Sequence, residues 1–236
     1  KRENLIDASL LEFCVREDLN KTADRKMVVI NPLKLSIINY PEDNEEFVVT
    51  ENNPEKDTSE KRKIPFSKHL YIEKEDFLEQ AERKFFRLSL DKEVRLKSAY
   101  IIKGESVVKN EEGEITEVLC TYDPKSKSGS GSEESLRKVK GTLHWVSKKH
   151  AVPVEIREYD RLFMTPVPGG EDGDFLKDLN PKSLNVTTGY AEPSLAKATP
   201  GQRYQFQRKG YFVVDSESTE EKTIFNITTF FNFFNA

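Results

Sequence analysis

At 236 residues the chain is long enough for one large or two small domains with a real core. Its formal charge of -4, from 37 Lys and Arg against 41 Asp and Glu, argues against indiscriminate nucleic-acid binding but leaves room for a local basic surface. Cys14 and Cys120 lie far apart with no CxxC, which suggests neither a disulfide framework nor a zinc site and fits a reducing cytoplasm; no apolar run reaches the roughly 18 residues of a membrane span, so neither a span nor secretion is expected.

In chain order, Asp7 followed by ASLLEFCVREDL reads as an N-cap and one amphipathic helix ending near Asn20, with Leu10, Leu11, Cys14 and Val15 towards one side. From Arg25 the pattern changes to strands: MVVI, a turn at Asn31-Pro32, then LKLSIIN up to Tyr40-Pro41. Residues 42–63 form a charged, turn-rich excursion in which Phe47, Val48 and Val49 predict one short strand. A strand at His69 to Ile72 leads into KEDFLEQAERKF, where the spacing of Phe77, Leu78 and Ala81 predicts a short helix.

Phe86 to Tyr100 alternates Leu88, Leu90, Val94 and Leu96 with Arg87, Ser89, Glu93, Arg95 and Lys97, the period of two half-buried strands joined near Asp91-Lys92. Across Arg83 to Lys103, seven cations (Arg83, Lys84, Arg87, Lys92, Arg95, Lys97 and Lys103) stand against Asp91 and Glu93. Two readings of this basic side stay open on pattern alone. One is a solvated outer face, since charge protects exposed strands; the other is a nucleic-acid surface, since closely spaced arginines on a rigid sheet can fork onto phosphates or base edges.

Beyond it, YIIKGESVVKN and EITEVLCTY form a strand pair joined through Asn110 to Gly113. The Gly/Ser/Lys composition of residues 125–135 predicts a poorly ordered loop. RKVKGTLHWVS and AVPVEIREYDRLF read as strands, Pro166 to Gly173 as a break and DFLKDL as a short helix; LNVTTGYAE, RYQFQRKGYFVVD and KTIFNITTFF close the chain as strands. Many short strands and few helices give a mainly β protein, as barrels or sandwiches. Catalytic chemistry is not in view: His69, His144 and His150 have no metal-ligand spacing, Glu155, Glu158 and Asp160 are interleaved with Arg157 and Arg161 as ordinary ion pairs, and no Walker loop, GxSxG or GxGxxG is present.

The blocks ASLLEFCVREDLN, RKMVVINPLKL, KEVRLKSAYIIK, KVKGTLHWVS, VPVEIREYDRLF, LNPKSL, GYAEPSL and YQFQRKGYFVVD, in this order from about Leu5 to about Asn226, resemble the C-terminal anticodon-binding region of the glutaminyl-tRNA synthetases. The adenylate-forming signatures HIGH and KMSKS of that family are absent, so the resemblance is to a region apart from its catalytic half. It implies a connector helix over 1–24, a proximal β-barrel from 25–84 and 171–236, and a distal β-barrel over 85–170. It implies no catalytic residue, metal or cofactor within these residues, ATP and magnesium belonging to the catalytic half. The implied partners are the anticodon loop of the glutamine tRNA and the protein's own catalytic domain, in a cytoplasmic monomer that serves a ligase joining glutamine to tRNA. Matched motif to motif, Arg25, Gln205 and Arg208 would serve the central anticodon base, Arg87 the third, and Arg95 with Lys97 the first. Splayed bases offer edges that an Arg fork or a Gln amide can read. Phe86 and Lys97 stand where bacterial relatives often carry a cation and an arginine, Ile227 replaces a usual arginine, and the Phe-rich tail has no counterpart. A glutamyl-tRNA synthetase of the archaeal and eukaryotic type, or a ribosomal protein binding 5S RNA through one such barrel, are the alternatives.

Overall fold

In the computed structural model, residues 7–58, 60–170 and 173–231 are described; the start of the chain and the tail beyond 231 lie outside them. Asp7 accepts a hydrogen bond from the Ser9 amide and so caps α1 (Ala8–Thr22). Leu10, Leu11 and Phe13 stay exposed, whereas Val15 and Leu19 pack towards Ala23 and Tyr211. The strands are β1 (Asp24–Lys26), β2 (Val28–Val29), β3 (Pro32–Ile37), β4 (Glu46–Glu51), β5 (Lys61–Phe66), β6 (His69–Glu73), β7 (Glu93–Leu96), β8 (Ile101–Lys109) and β9 (Ile115–Tyr122). After a one-turn helix, α2 (Glu133–Leu136), come β10 (Thr142–Leu143), β11 (Val146–Ser147), β12 (Val152–Tyr159), β13 (Leu184–Ala191), β14 (Arg203–Phe206), β15 (Gly210–Val214) and β16 (Thr223–Phe230).

These strands build two seven-stranded sheets, in the orders β1-β14-β15-β16-β12-β13-β2 and β10-β7-β8-β9-β3-β6-β11, while β4 and β5 pair as a separate hairpin. Both sheets curl round by the same device. The edge strands β1 and β2 are separated in the chain by Met27 alone, and β10 and β11 by His144-Trp145 alone. One kinked strand thus hydrogen-bonds at both edges and brings each sheet close to a closed barrel, leaving little edge to protect. The kink residues Met27, His144 and Trp145 are all buried, Met27 among the side chains of the second barrel. Val28, Ile156, Phe206, Phe212 and Phe225 fill the first barrel, where Phe206 and Phe212 stack at 4.2 Å. Leu35, Ile37, Leu70, Ile72, Val94 and Leu96 fill the second around Phe66, whose ring meets Tyr40, Tyr100 and Trp145. Each such fully buried side chain contributes roughly 1.5–3 kcal/mol.

Four expectations differ from what is observed. Strands β3 and β6 pair not with the two ends of the chain but with the middle, in registers such as Leu35↔Val118 and Ser147↔Leu70; β12 in turn lies between β13 and β16. The second barrel is therefore drawn wholly from 32–147 and the first from the segments on either side, whereas the division 25–84 with 171–236 cuts through both. The helix expected after β6 stops at a 3-10 turn, Lys74–Asp76. Beyond it the backbone pairs with Leu88, whose amide donates to the Asp76 carbonyl and whose carbonyl accepts from the Leu78 amide, which buries Phe77 without a helix. The excursion holds a full hairpin: Lys61-Arg62-Lys63 begin the return strand β5. The Gly/Ser loop is folded. Ser126 is buried and its hydroxyl accepts from the Ile101 amide, Ser128 donates twice to the Ala99 carbonyl, and Ser132 caps α2.

Candidate nucleic-acid interface

The alternation that buries Val94 and Leu96 turns Arg95 and Lys97 to the other side of β7. Their fates differ. Arg95 Nη1 donates to the Ser126 carbonyl and the Ser128 hydroxyl, and Nη2 to the Ser135 and Arg137 carbonyls, so four of its five N–H donors organise the loop between β9 and β10. Burial and the neighbouring Arg137 charge lower its pKa from the usual value. Lys97 is exposed, and its ammonium has no hydrogen-bond or ion-pair partner among the described residues. Ser98, which follows it, holds a φ of 59°, a left-handed conformation that side chains other than Gly and Asn adopt rarely.

Lys97 opens on a cleft of about 600 Å³ whose walls also carry Arg25, Phe47, Val49, Lys61, Lys127 and Gln207. The β4–β5 hairpin forms one wall and is tied down at its base. Arg62 Nε and Nη2 meet the buried Glu192 at 2.6 and 2.9 Å, and Glu46 is held by Tyr40, Tyr100 and Lys127. Burial pushes the Glu46 carboxyl up, yet these hydrogen bonds and the Lys127 charge leave it below the usual value. Arg25 lies on β1 in register with Gln205 on β14. It donates to Asn20 Oδ1 at 3.1 Å and Glu55 Oε1 at 3.2 Å, while its Nε is buried without a partner, as is Gln205 Oε1.

A second cleft holds Arg87 and Arg208 with Lys84, Phe86, Gly141 and Leu143. The β14–β15 turn is the wall common to both clefts, because Gln207 faces the first and Arg208 the second. Arg208 adopts φ 65° and forks onto the fully buried Asp76 at 2.6 and 2.7 Å. Burial lowers its pKa, but Asp76, Glu75 and Glu73 outweigh burial and raise it. Arg87 Nη1 donates to the Glu75 carbonyl, and its Nε lies 3.4 Å from the same Asp76. Beside this cleft Lys140 sits 5.3 Å from the Phe86 ring centroid and puts a positive charge at that corner.

Two family models, each described as the anti-codon binding domain of class I tRNA synthetases (E and Q), match residues 23–123 and 142–215. Curated relatives named glutamine–tRNA ligase agree: that of Rhodopirellula baltica is 52% identical over 228 residues, 96% of this chain and 38% of the relative, and that of Citrobacter koseri is 49% identical over 229 residues, 97% of this chain and 41% of the relative. The relative from Proteus mirabilis is 49% identical over 228 residues. The chain belongs to the class I tRNA synthetase anticodon-binding family. It spans about two fifths of the length of these relatives and, as an anticodon-binding region, is built to bind tRNA.

Within this family fold, the structure brings Arg25 and Lys97 to the first cleft and Arg87 and Arg208 to the neighbouring one; Arg95 stands behind the first as a support of its wall, and Gln205 is buried beside Arg25 and lines neither, so the three residues expected at the central base are divided between the clefts. Sequence reasoning missed Lys61, Lys127, Phe47 and Asp76. Lys127 sits in a segment whose composition reads as flexible, and Asp76 in one whose apolar spacing reads as helix. The cluster at Glu155 is structural: Arg157 bridges Glu155, Asp215 and Glu217 on the surface of the first barrel.

Proposed function

We propose that this chain is the anticodon-reading part of a glutamine–tRNA ligase and that its two clefts hold unstacked anticodon bases of the glutamine tRNA. In this reading Arg25, Gln205 and Arg208 serve the central base, Arg87 the third and Lys97 the first, with Arg95 acting at the first base through the loop that it fixes. One observation carries the reading most directly. Arg25 Nε and Gln205 Oε1, on register partners, are a buried donor and a buried acceptor with no protein partner. Each such group costs roughly 1–3 kcal/mol unless something satisfies it, and a base edge offers both an acceptor and a donor. Non-glycine residues at positive φ beside both clefts, Ser98 and Arg208, fit a site whose backbone is held away from its local preference.

The relatives' printed name supports glutamine as the amino acid, while the family description covers both E and Q; binding to a panel of tRNAs separates the two. With neither HIGH nor KMSKS among its residues, the chain by itself is expected to support no glutamine-dependent ATP–pyrophosphate exchange, which assigns ATP and magnesium to a catalytic part joined to it. Leu10, Leu11 and Phe13 of α1, and separately Leu162, Met164 and Val167 beyond β12, are exposed apolar side chains for that part to cover. The working unit is then a cytoplasmic monomer, and among the described residues no helix is long and apolar enough to cross a membrane.

The test compares Arg208→Ala with Lys97→Ala on cognate tRNA and on tRNA altered at the central anticodon base, at several salt concentrations. Arg208→Ala is expected to weaken cognate tRNA by roughly 1–3 kcal/mol, with less effect on the altered tRNA. Lys97→Ala is expected to weaken both alike and to flatten the salt dependence by about 0.7–0.9 in slope. Equal losses on both tRNAs with Arg208→Ala would remove it from base reading, and silence of both substitutions would remove the RNA face.

A further inference from the structure

We propose that Asp76 is a positioning residue which couples recognition of two neighbouring anticodon bases, an inference that rests on the roles given above to Arg87 and Arg208. Asp76 touches neither cleft and is fully buried at the end of the 3-10 turn that follows β6. A buried carboxylate is costly unless it is paired and hydrogen-bonded. Its partners are the two arginines of the second cleft: Arg208 forks onto both of its oxygens, and Arg87 Nε approaches one of them to 3.4 Å. The three residues come from different parts of the fold. Asp76 belongs to the second barrel, Arg87 to the extended segment entering β7, and Arg208 to the β14–β15 turn of the first barrel, 132 residues further along the chain.

The donor geometry decides what this arrangement does. A guanidinium has five N–H donors in a rigid fork. Arg208, which lines the cleft, commits one from each Nη to Asp76, which leaves its Nε–H and one N–H on each Nη uncommitted to that carboxylate. The carboxylate thus fixes the plane of the fork without exhausting it. Arg87 is steered from one of the same two oxygens, Oδ1, and from the Glu75 carbonyl. One buried group therefore sets the aim of both forks, and a disturbance at either reaches the other through the partner they share. Neutralising Asp76 should blunt discrimination at the central and the third base together, although Asp76 contacts no base.

The experiment uses the full-length protein with cognate tRNA, tRNA altered at the central base and tRNA altered at the third base, and reads the ratio of cognate to altered affinity. Asp76→Asn, nearly isosteric, is expected to lower both ratios about tenfold, the scale of one misaligned bidentate contact, with little change in affinity for the altered tRNAs. Arg208→Ala is expected to lower mainly the central-base ratio and Arg87→Ala mainly the third-base ratio. In the doubly substituted protein the losses should fall short of the product of the single losses by threefold or more; this second measurement leaves Asp76 intact and stands even if Asp76→Asn folds poorly. Uniform weakening of all three tRNAs by Asp76→Asn, loss of one ratio only, or independent single losses would each overturn the coupling. Ratios untouched by Arg87→Ala and Arg208→Ala would overturn the base-reading roles and this inference with them, whereas ratios moved by those two but not by Asp76→Asn would overturn this inference alone.

Discussion

Four carbonyl and hydroxyl oxygens of one loop converge on Arg95, which with the Ser126 and Ser128 bonds to β8 and its approach explains why a Gly/Ser stretch is ordered here. Composition reports what a segment can bury by itself, and by that measure residues 125–135 cannot offset the entropy of ordering; it is blind to a guanidinium arriving from a strand about thirty residues earlier. Arg95→Ala is accordingly expected to destabilise the protein by about 2–4 kcal/mol, since each hydrogen bond to a charged group is worth roughly 1.5–3 kcal/mol, and to open 125–137 to trypsin. Limited proteolysis and chemical denaturation check this, with Lys97→Ala as the control that leaves the loop protected. Glu73 gives a second residue-scale expectation. Burial pushes its carboxyl up, yet the His144 hydrogen bond, the His144 and Lys209 charges and the Ile30 amide hold it below the ordinary 4.5. A pKa lowered on folding contributes stability that is complete at neutral pH and is lost as pH falls through the folded-state value. Acid unfolding should therefore steepen below about pH 4.5, and Glu73→Gln should flatten that limb while lowering stability at pH 7, as read from denaturation curves across pH.

Strands were legible where apolar and polar residues alternate, as in Val94 to Leu96, and in the short apolar run Met27 to Ile30, and so was the capped helix behind Asp7. What stayed hidden was pairing at a distance. Phe77 and Leu78 have helical spacing, but the backbone partner that makes them extended is Leu88, on the far side of a charged run. Strand β5 begins KRK because its outer face is solvated, as at the cross-strand pairs Val49↔Lys63 and Glu51↔Lys61, so its first half reads as loop. Gly141 shows how tightly such pairings constrain the second cleft. It sits at φ 102°, and a Cβ there would stand 2.2 Å from the Phe86 carbonyl oxygen. Gly141→Ala must move the Phe86–Arg87 backbone; we expect a loss of roughly 1–3 kcal/mol in stability and weaker discrimination at the third anticodon base, measured by thermal unfolding and by binding to third-base-altered tRNA.

At the scale of the whole molecule, the order of the motif blocks sufficed for the family, the mainly β class and the pair of barrels, because each block keeps its own local residue pattern. The same order misassigned β3, β6 and β12, since which barrel a strand joins depends on hydrogen bonds to strands as far as 83 residues away, as from Lys34 to Glu117, and neither alternation nor composition encodes that. The clefts share this history. Arg25, Lys97, Arg87 and Arg208 carry charge that is visible in the sequence, but their grouping into two adjoining pockets comes from the β14–β15 turn of one barrel meeting the other.

The nesting of one barrel inside the other also sets a timetable for a chain leaving the ribosome. Every strand of the second barrel has emerged once residue 147 is made, so that barrel can assemble while synthesis continues. Strands β1 and β2, produced long before it, must wait for β13 and β14, with the whole second barrel interposed as the loop to be closed. Pulsed hydrogen exchange during refolding should find amides of β7, β8 and β9 protected before those of β1, β2 and β14, and simultaneous protection would contradict that sequence of events. Arg25 and Gln205, on strands that meet only across the whole of the second barrel, would then come into register after that barrel has formed, so a molecule that can bind an anticodon has already completed it.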